Sequence, residues 1–167
     1  ELEIDLFRFQ QRFMGGAMFD LGLNDTGFIR LEVKCVKPGR VAVVFDEILE
    51  NGDISPVRYS CANIVVWELL EPGAYTLESF EPYPLRYGRV SFLSGEGKVV
   101  SASMREYKNP DAYRARLDSS NPAENAIFEA ARETYSQNAV DAFTDCPGRE
   151  RAGWLCDSFF TARASLL

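Results

Sequence analysis

Histidine is absent from all 167 residues. That single gap excludes a Ser-His-Asp triad, a Cys-His dyad and the usual zinc ligand sets. Basic charge is also scarce: 18 Lys and Arg against 25 Asp and Glu leave a net charge of −7. The deficit is spread along the chain, with 12 basic and 16 acidic residues over 1–110 and 6 and 9 over 111–167. Neither part offers the cationic face that a phosphate backbone requires, so no nucleic-acid partner is expected. No apolar run approaches the ~18 residues of a membrane span, and no membrane partner is expected. The glycines around Gly95 lack a Gly-Lys-Ser/Thr and a following helix, so they form no phosphate loop. Internal repeats and low-complexity tracts are absent too.

Cysteine is sparse. Cys35, Cys61, Cys146 and Cys156 match no zinc spacing, and the Cys146/Cys156 pair is weak ground for a disulfide. Cys35 and Cys61 sit in apolar surroundings and read as small buried side chains. Cys146 has no histidine to act as its base, which argues against a nucleophile. Neither a metal nor a cofactor is expected. At the ends, Glu1-Leu2-Glu3-Ile4-Asp5 is too acidic for a signal leader. The run Phe159–Leu167 has no Gly or Asn cap and no following Pro, so it reads as a helix cut in mid-course. The expectation is a piece of a longer protein.

What the sequence does contain is a hydrophobic fraction of 46%, with 13% aromatic residues, enough for a folded core. Residues 17 to about 107 read as short strands. Phe28–Val36 alternates apolar and polar, Lys37-Pro38-Gly39-Arg40 reads as a turn, and Val41–Phe45 as a more buried strand. Asn51-Gly52 signals a further reversal. Asn63–Leu69, Ala74–Phe80, Arg86–Leu93 and Lys98–Tyr107 are the remaining candidates, the last two joined by Ser94-Gly95-Glu96-Gly97. Short strands ended by Gly or Pro predict an antiparallel β-sandwich over residues 1–110. After Asn109-Pro110 the texture changes. Asn121-Pro122-Ala123-Glu124 supplies an N-cap, Pro at the first helical position and Glu at the third. Ile127, Ala130, Ala131 and Thr134 then keep helical spacing to about Ala139, and a second apolar helix begins near Trp154. Residues 111–167 are thus expected to hold a linker and the first helices of a second domain.

Between those helices lies Asp145-Cys146-Pro147-Gly148-Arg149-Glu150-Arg151-Ala152-Gly153-Trp154-Leu155-Cys156-Asp157. Three carboxylates, two guanidiniums and an indole crowd into a segment whose Pro147, Gly148 and Gly153 disfavour a regular helix. Clustered acids and bases beside an aromatic ring suit a sugar-binding or hydrolytic loop; surface ion pairs on a helix connection are the plainer reading.

This motif resembles the signature of bacterial α-L-rhamnosidases with an (α/α)6 catalytic barrel. Asn121-Pro122, the helix to Asn138 and Asp141-Ala142-Phe143-Thr144 resemble that family's lead-in. Phe19-Asp20-Leu21-Gly22, Thr26-Gly27, Arg30-Leu31, Phe80 and Leu85-Arg86-Tyr87 resemble parts of its β-sandwich domain. The resemblance implies mainly β structure with C-terminal helices, an antiparallel β-sandwich followed by the first helices of a truncated (α/α)6 barrel. It implies Glu150 as the general acid, and Asp145, Arg149, Trp154 and Asp157 as contacts to a rhamnose-containing glycan or glycoside. Many members carry an extra acidic residue between the Arg and the Glu, whereas here Arg149 precedes Glu150 directly. A glycosidic acid must hold its proton near neutral pH, which calls for burial or a negative neighbour. Inversion also needs a second carboxylate as base, roughly 6.5–9.5 Å away. The resemblance puts that base beyond residue 167, so this chain alone is expected to be inactive and its partner to be the remainder of the same polypeptide. The alternative is a non-catalytic carbohydrate-binding or scaffold β-sandwich module, with Trp67, Tyr83 and Tyr87 free to stack on sugars rather than packed in the core.

Overall fold

A computed structural model describes residues 16–58 and 60–166. The acidic opening Glu1–Asp5 lies outside the described residues. The chain divides into two compact units, Glu1–Arg105 and Glu106–Leu167.

The first unit is built on two long strands, β1 (Ala17–Asp46) and β6 (Tyr83–Glu106). Between them come β2 (Val57–Arg58), β3 (Cys61–Ala62), β4 (Ile64–Leu69) and β5 (Gly73–Glu78). β2 and β3 form a separate two-stranded ribbon. β4 pairs antiparallel with the later part of β1, Gly39↔Leu69 through Val44↔Ile64, and β5 with its earlier part, Arg30↔Glu78 through Cys35↔Gly73. β6 also pairs with β1.

The expected turn at Lys37–Arg40 is not one: β1 runs straight through it. The ladder is interrupted there without reversing, because residues 36–38 lie opposite 70–72 and each stretch carries a proline that cannot donate to a partner strand. The same correction applies to Ser94–Gly97, where β6 continues instead of closing a hairpin. The two interruptions meet. A Cβ on Gly39 would stand 2.2 Å from the Ser94 carbonyl oxygen, and one on Gly95, whose φ is +76°, 2.5 Å from the Lys37 carbonyl oxygen. Glycine therefore lets β1 and β6 touch backbone to backbone on the line where the β4–β5 connection leaves the ladder, a crease across the sheet.

Alternation places Ile29, Leu31, Val33 and Cys35 in the core, and Val41, Val43 and Phe45 join them beyond the crease. Odd-numbered residues face inward on both sides. Along 41–46 the opposite face is covered as well, with Ala42 and Val44 packing on Ile54, Leu49, Ile64, Tyr87 and Leu93. The reading of Val41–Phe45 as the more buried strand holds. Asn51 and Gly52 have φ of +53° and +81°, the left-handed pair of the expected tight reversal, closed by bonds between Glu50 and Asp53. The Asp46 carboxylate, 1% exposed, accepts from Arg58 Nε at 2.8 Å on each oxygen and from the Glu47 N–H at 2.8 Å. Trp67 and Tyr83 pack against the main core, the Tyr83 ring centroid 4.9 Å from that of Phe45, and Tyr87 packs against the second cluster. These aromatics take their packing role. Cys35 is buried as expected, while Cys61 is only half-buried.

The second unit begins with a short 3-10 helix, Pro110–Arg114, within the stretch expected to be linker. Helix α1 (Pro122–Asn138) follows, then α2 (Leu155–Ala164). The cap of α1 is as read: Asn121 Oδ1 accepts from the Ala123 N–H at 3.1 Å, and Asn121 Nδ2 donates to Glu124 at 3.2 Å. Glu133 fastens the incoming chain to α1 by accepting from Lys108 Nζ at 2.5 Å and Tyr113 Oη at 2.6 Å. Partial burial raises the Glu133 carboxyl, but these donors together with Gln137 hold it below the usual range. The buried Ser136 completes the joint, its carbonyl accepting from the Asn109 N–H at 2.7 Å. The stripe Ile127, Ala130, Ala131, Thr134 that marked α1 in the sequence is exposed, and α2 has no buried residue. No described helix is long and apolar enough to cross a membrane.

Candidate functional site

The segment joining α1 to α2 is anchored at both ends by its own polar groups. Thr144 donates its N–H to the Asn138 carbonyl at 2.9 Å, and its hydroxyl lies 3.2 Å from Asn138 Oδ1, so the last turn of α1 holds the lead-in. An isolated bridge pairs Ala139 with Phe143. From the other side, Ser158 on α2 donates its hydroxyl to the Phe143 carbonyl at 3.1 Å.

Within these anchors residues 145–152 close a ring. The Asp145 N–H donates to the Ala152 carbonyl at 3.0 Å, and the Ala152 N–H donates to Asp145 Oδ1 at 2.9 Å. The Cys146 thiol donates to Asp145 Oδ2 at 3.2 Å. Pro147–Glu150 form the turn, and Arg151, at φ +51°, brings the chain back to Ala152. A side chain in that left-handed region costs on the order of 1–2 kcal/mol, offset here by the closing bonds. Partial burial raises the Asp145 carboxyl, but the Ala152 N–H, the Cys146 thiol and neighbouring backbone donors outweigh it and hold the group below the usual range.

At the far side of the ring three of the expected site residues meet. Glu150 pairs with Arg149 and accepts from Trp154 Nε1 at 2.6 Å. Trp154 occupies the N-cap of α2, its carbonyl accepting the Ser158 N–H at 2.8 Å, so helix start and indole are fixed together. Arg149, Glu150 and Trp154 are exposed. Asp145 stands at the base of the ring. Asp157 lies exposed in the first turn of α2, apart from the hydrogen-bonded cluster, where a carboxylate is favoured by the helix dipole. Cys146 and Cys156 are free thiols. Among the described residues no group of three or more Cys, Asp and Glu gathers as a metal site. Asn138, Ala152 and Ser158 were missed by the sequence reading. Two of them act through backbone groups, which leave no mark in residue type.

An antiparallel β domain followed in sequence by the first helices of a helical barrel is the class this fold defines. Residues 113–166 match the family described as bacterial alpha-L-rhamnosidase 6 hairpin glycosidase domain. Among solved structures, the chain is similar to a GH78 family rhamnosidase of Bacillus sp. GL1, with TM-score 0.75 and 24% identity over 87% of this chain and 15% of that one. It is similar also to a rhamnosidase from Klebsiella oxytoca with rhamnose bound, with TM-score 0.70 and 20% identity over 94% and 34% of the two chains. A third is an alpha-L-rhamnosidase from Aspergillus terreus, with TM-score 0.58 and 26% identity over 84% and 17%. No curated protein sequence matches. The similarity to that glycosidase domain is confined to residues 113–166, and the chain spans between 15% and 34% of the rhamnosidase chains it matches.

Proposed function

We propose that this chain carries the acid half of an inverting α-L-rhamnosidase site. The observation that supports this most is that Glu150, bonded to the Trp154 indole, lies inside the segment that matches the family. Glu150 is the general acid, protonating the glycosidic oxygen as the rhamnosyl bond breaks. Trp154 lines the sugar face with its ring. Arg149 has five N–H donors, enough to hold Glu150 and a hydroxyl at once. Asp157 and the remaining lone pairs of Asp145 accept from sugar hydroxyls. In this reading residues 1–110 form the β domain and 111–167 open the helical one.

Inversion requires a base that activates water on the opposite face of the sugar, roughly 6.5–9.5 Å from the acid. We assign it to the rest of the parent polypeptide, so the chain by itself is inactive and its substrate is a rhamnose-containing glycan or glycoside. The test is release of the leaving group from an aryl α-L-rhamnoside. The isolated chain is expected to release none, and the parent polypeptide is expected to lose its release by a factor of 100 or more on Glu150→Gln, about the contribution of one acid. Release by the isolated chain that Glu150→Gln abolishes would overturn the assignment of the base. Undiminished release by the parent variant would overturn the assignment of the acid.

A further inference from the structure

Resting on Glu150 as the acid, we propose that Asp145 is a positioning residue: its carboxylate clamps the Ala152 peptide and thereby holds Glu150 against Trp154. Ala152 stands two residues from each of them, and Asp145 engages both sides of it. The Asp145 N–H takes the Ala152 carbonyl, while Oδ1 takes the Ala152 N–H at 2.9 Å. The second oxygen is engaged by the Cys146 thiol at 3.2 Å, which fixes the rotation of the carboxylate. The clamp has an opponent in Arg151, whose positive φ favours a different path for the chain. Released from Asp145, the segment 149–152 regains that freedom, and Glu150, with Arg149 moving beside it, can leave the Trp154 indole, which its own bond to Ser158 keeps at the start of α2. Asn138, Thr144 and Ser158 hold the ring as a whole to the two helices, whereas Asp145 sets its internal shape.

The two tryptophans supply the experiment. Trp67 donates its indole N–H to the Glu78 carbonyl at 3.2 Å in the first unit, and Trp154 donates to Glu150 in the second, so an NMR spectrum of the chain holds one reporter and one control. Asp145→Ala is expected to move the Trp154 indole signal toward that of a free indole. It should also raise exchange at the Ala152 amide about tenfold or more, the worth of one hydrogen bond to a charged group, and leave Trp67 in place. Asp145→Asn, which keeps an oxygen facing Ala152, is expected to retain both signals and covers the case in which the alanine variant fails to fold. An unmoved Trp154 indole in a folded Asp145→Ala chain overturns the proposal, as does loss of both signals in a folded Asp145→Asn chain. Neither result depends on turnover. An intact clamp in a parent protein indifferent to Glu150→Gln would refute the acid and leave the clamp standing.

Discussion

Breaking the ion pair beneath the first unit should cost more than any surface substitution on it. Asp46 is 1% exposed and the Arg58 side chain 18%, with Nε 2.8 Å from both carboxylate oxygens. Asp46→Asn keeps the shape and removes the charge, leaving a largely buried guanidinium without its carboxylate, a loss of roughly 3–5 kcal/mol. At ~0.05–0.15 kcal/mol per residue, a unit of some 90 residues is stable by about 5–13 kcal/mol, so the variant folds but with little margin. With a urea dependence of about 2 kcal/mol per molar, the unfolding midpoint falls by roughly 1.5–2.5 M. The assay is urea unfolding followed by the fluorescence of Trp67 in a Trp154→Phe background, which isolates the first unit. Replacing both partners with apolar residues, Asp46→Leu with Arg58→Met, should recover much of the loss because no charge is then stranded. A midpoint shift below about 0.5 M in Asp46→Asn would refute the reasoning. So would a double variant as unstable as the sum of the single ones.

Acid should destabilise both units and mild alkali neither. Asp20 is held down by Arg86. Asp53 is raised by burial but lowered more by Arg89, and Glu78 is held down by Arg105; in the second unit Glu133 and Asp145 are also depressed. Groups with depressed folded values contribute fully above their unfolded values near 4, and the contribution is lost as pH falls through the lower folded ones. With no histidine to titrate, melting temperatures measured from pH 5 to 7.5 should lie on a plateau that drops below pH 4; a step near pH 6.5 would contradict this. On α2, Leu155 is 89% exposed with Phe159 and Phe160 beside it, and such a patch should drive self-association of the isolated chain. Sedimentation of a Phe159→Ser, Phe160→Ser variant should show less association than the parent chain at equal concentration, and an unchanged distribution would place the contact elsewhere.

Local pattern carried much of the fold. Alternation at Ile29, Leu31, Val33 and Cys35 named the buried face, and Asn121-Pro122 named the start of α1 within a residue. Pattern failed where a local signal had two meanings. Pro38-Gly39 and Ser94-Gly95 have the composition of turns, but each lies against the other's backbone, a relation between residues some 55 apart that no window on the sequence contains. The exposed stripe on α1 is a similar case, since spacing announces an apolar face without saying what meets it. At the site, the charge density of residues 145–157 marked the loop, and the resemblance supplied Glu150 as the acid proposed for it. Which side chain closes the ring was decided by a backbone N–H at Ala152, and alanine carries no signal of its own.

The crease imposes a length rule on the first unit. Three residues of β1 are matched by three between β4 and β5, so the interruption neither adds to one side nor takes from the other. A single inserted residue in 36–38 would exchange the two faces of everything beyond it, sending Val41, Val43 and Phe45 to the side now held by Ala42 and Val44. Because both faces are apolar there, such a slip would be opposed less by solvation than by side-chain size. Ala42 and Val44 would have to fill the space of a phenylalanine and two valines. Evolution or design can therefore lengthen this fold at the crease only in even steps, or by changing both strands together.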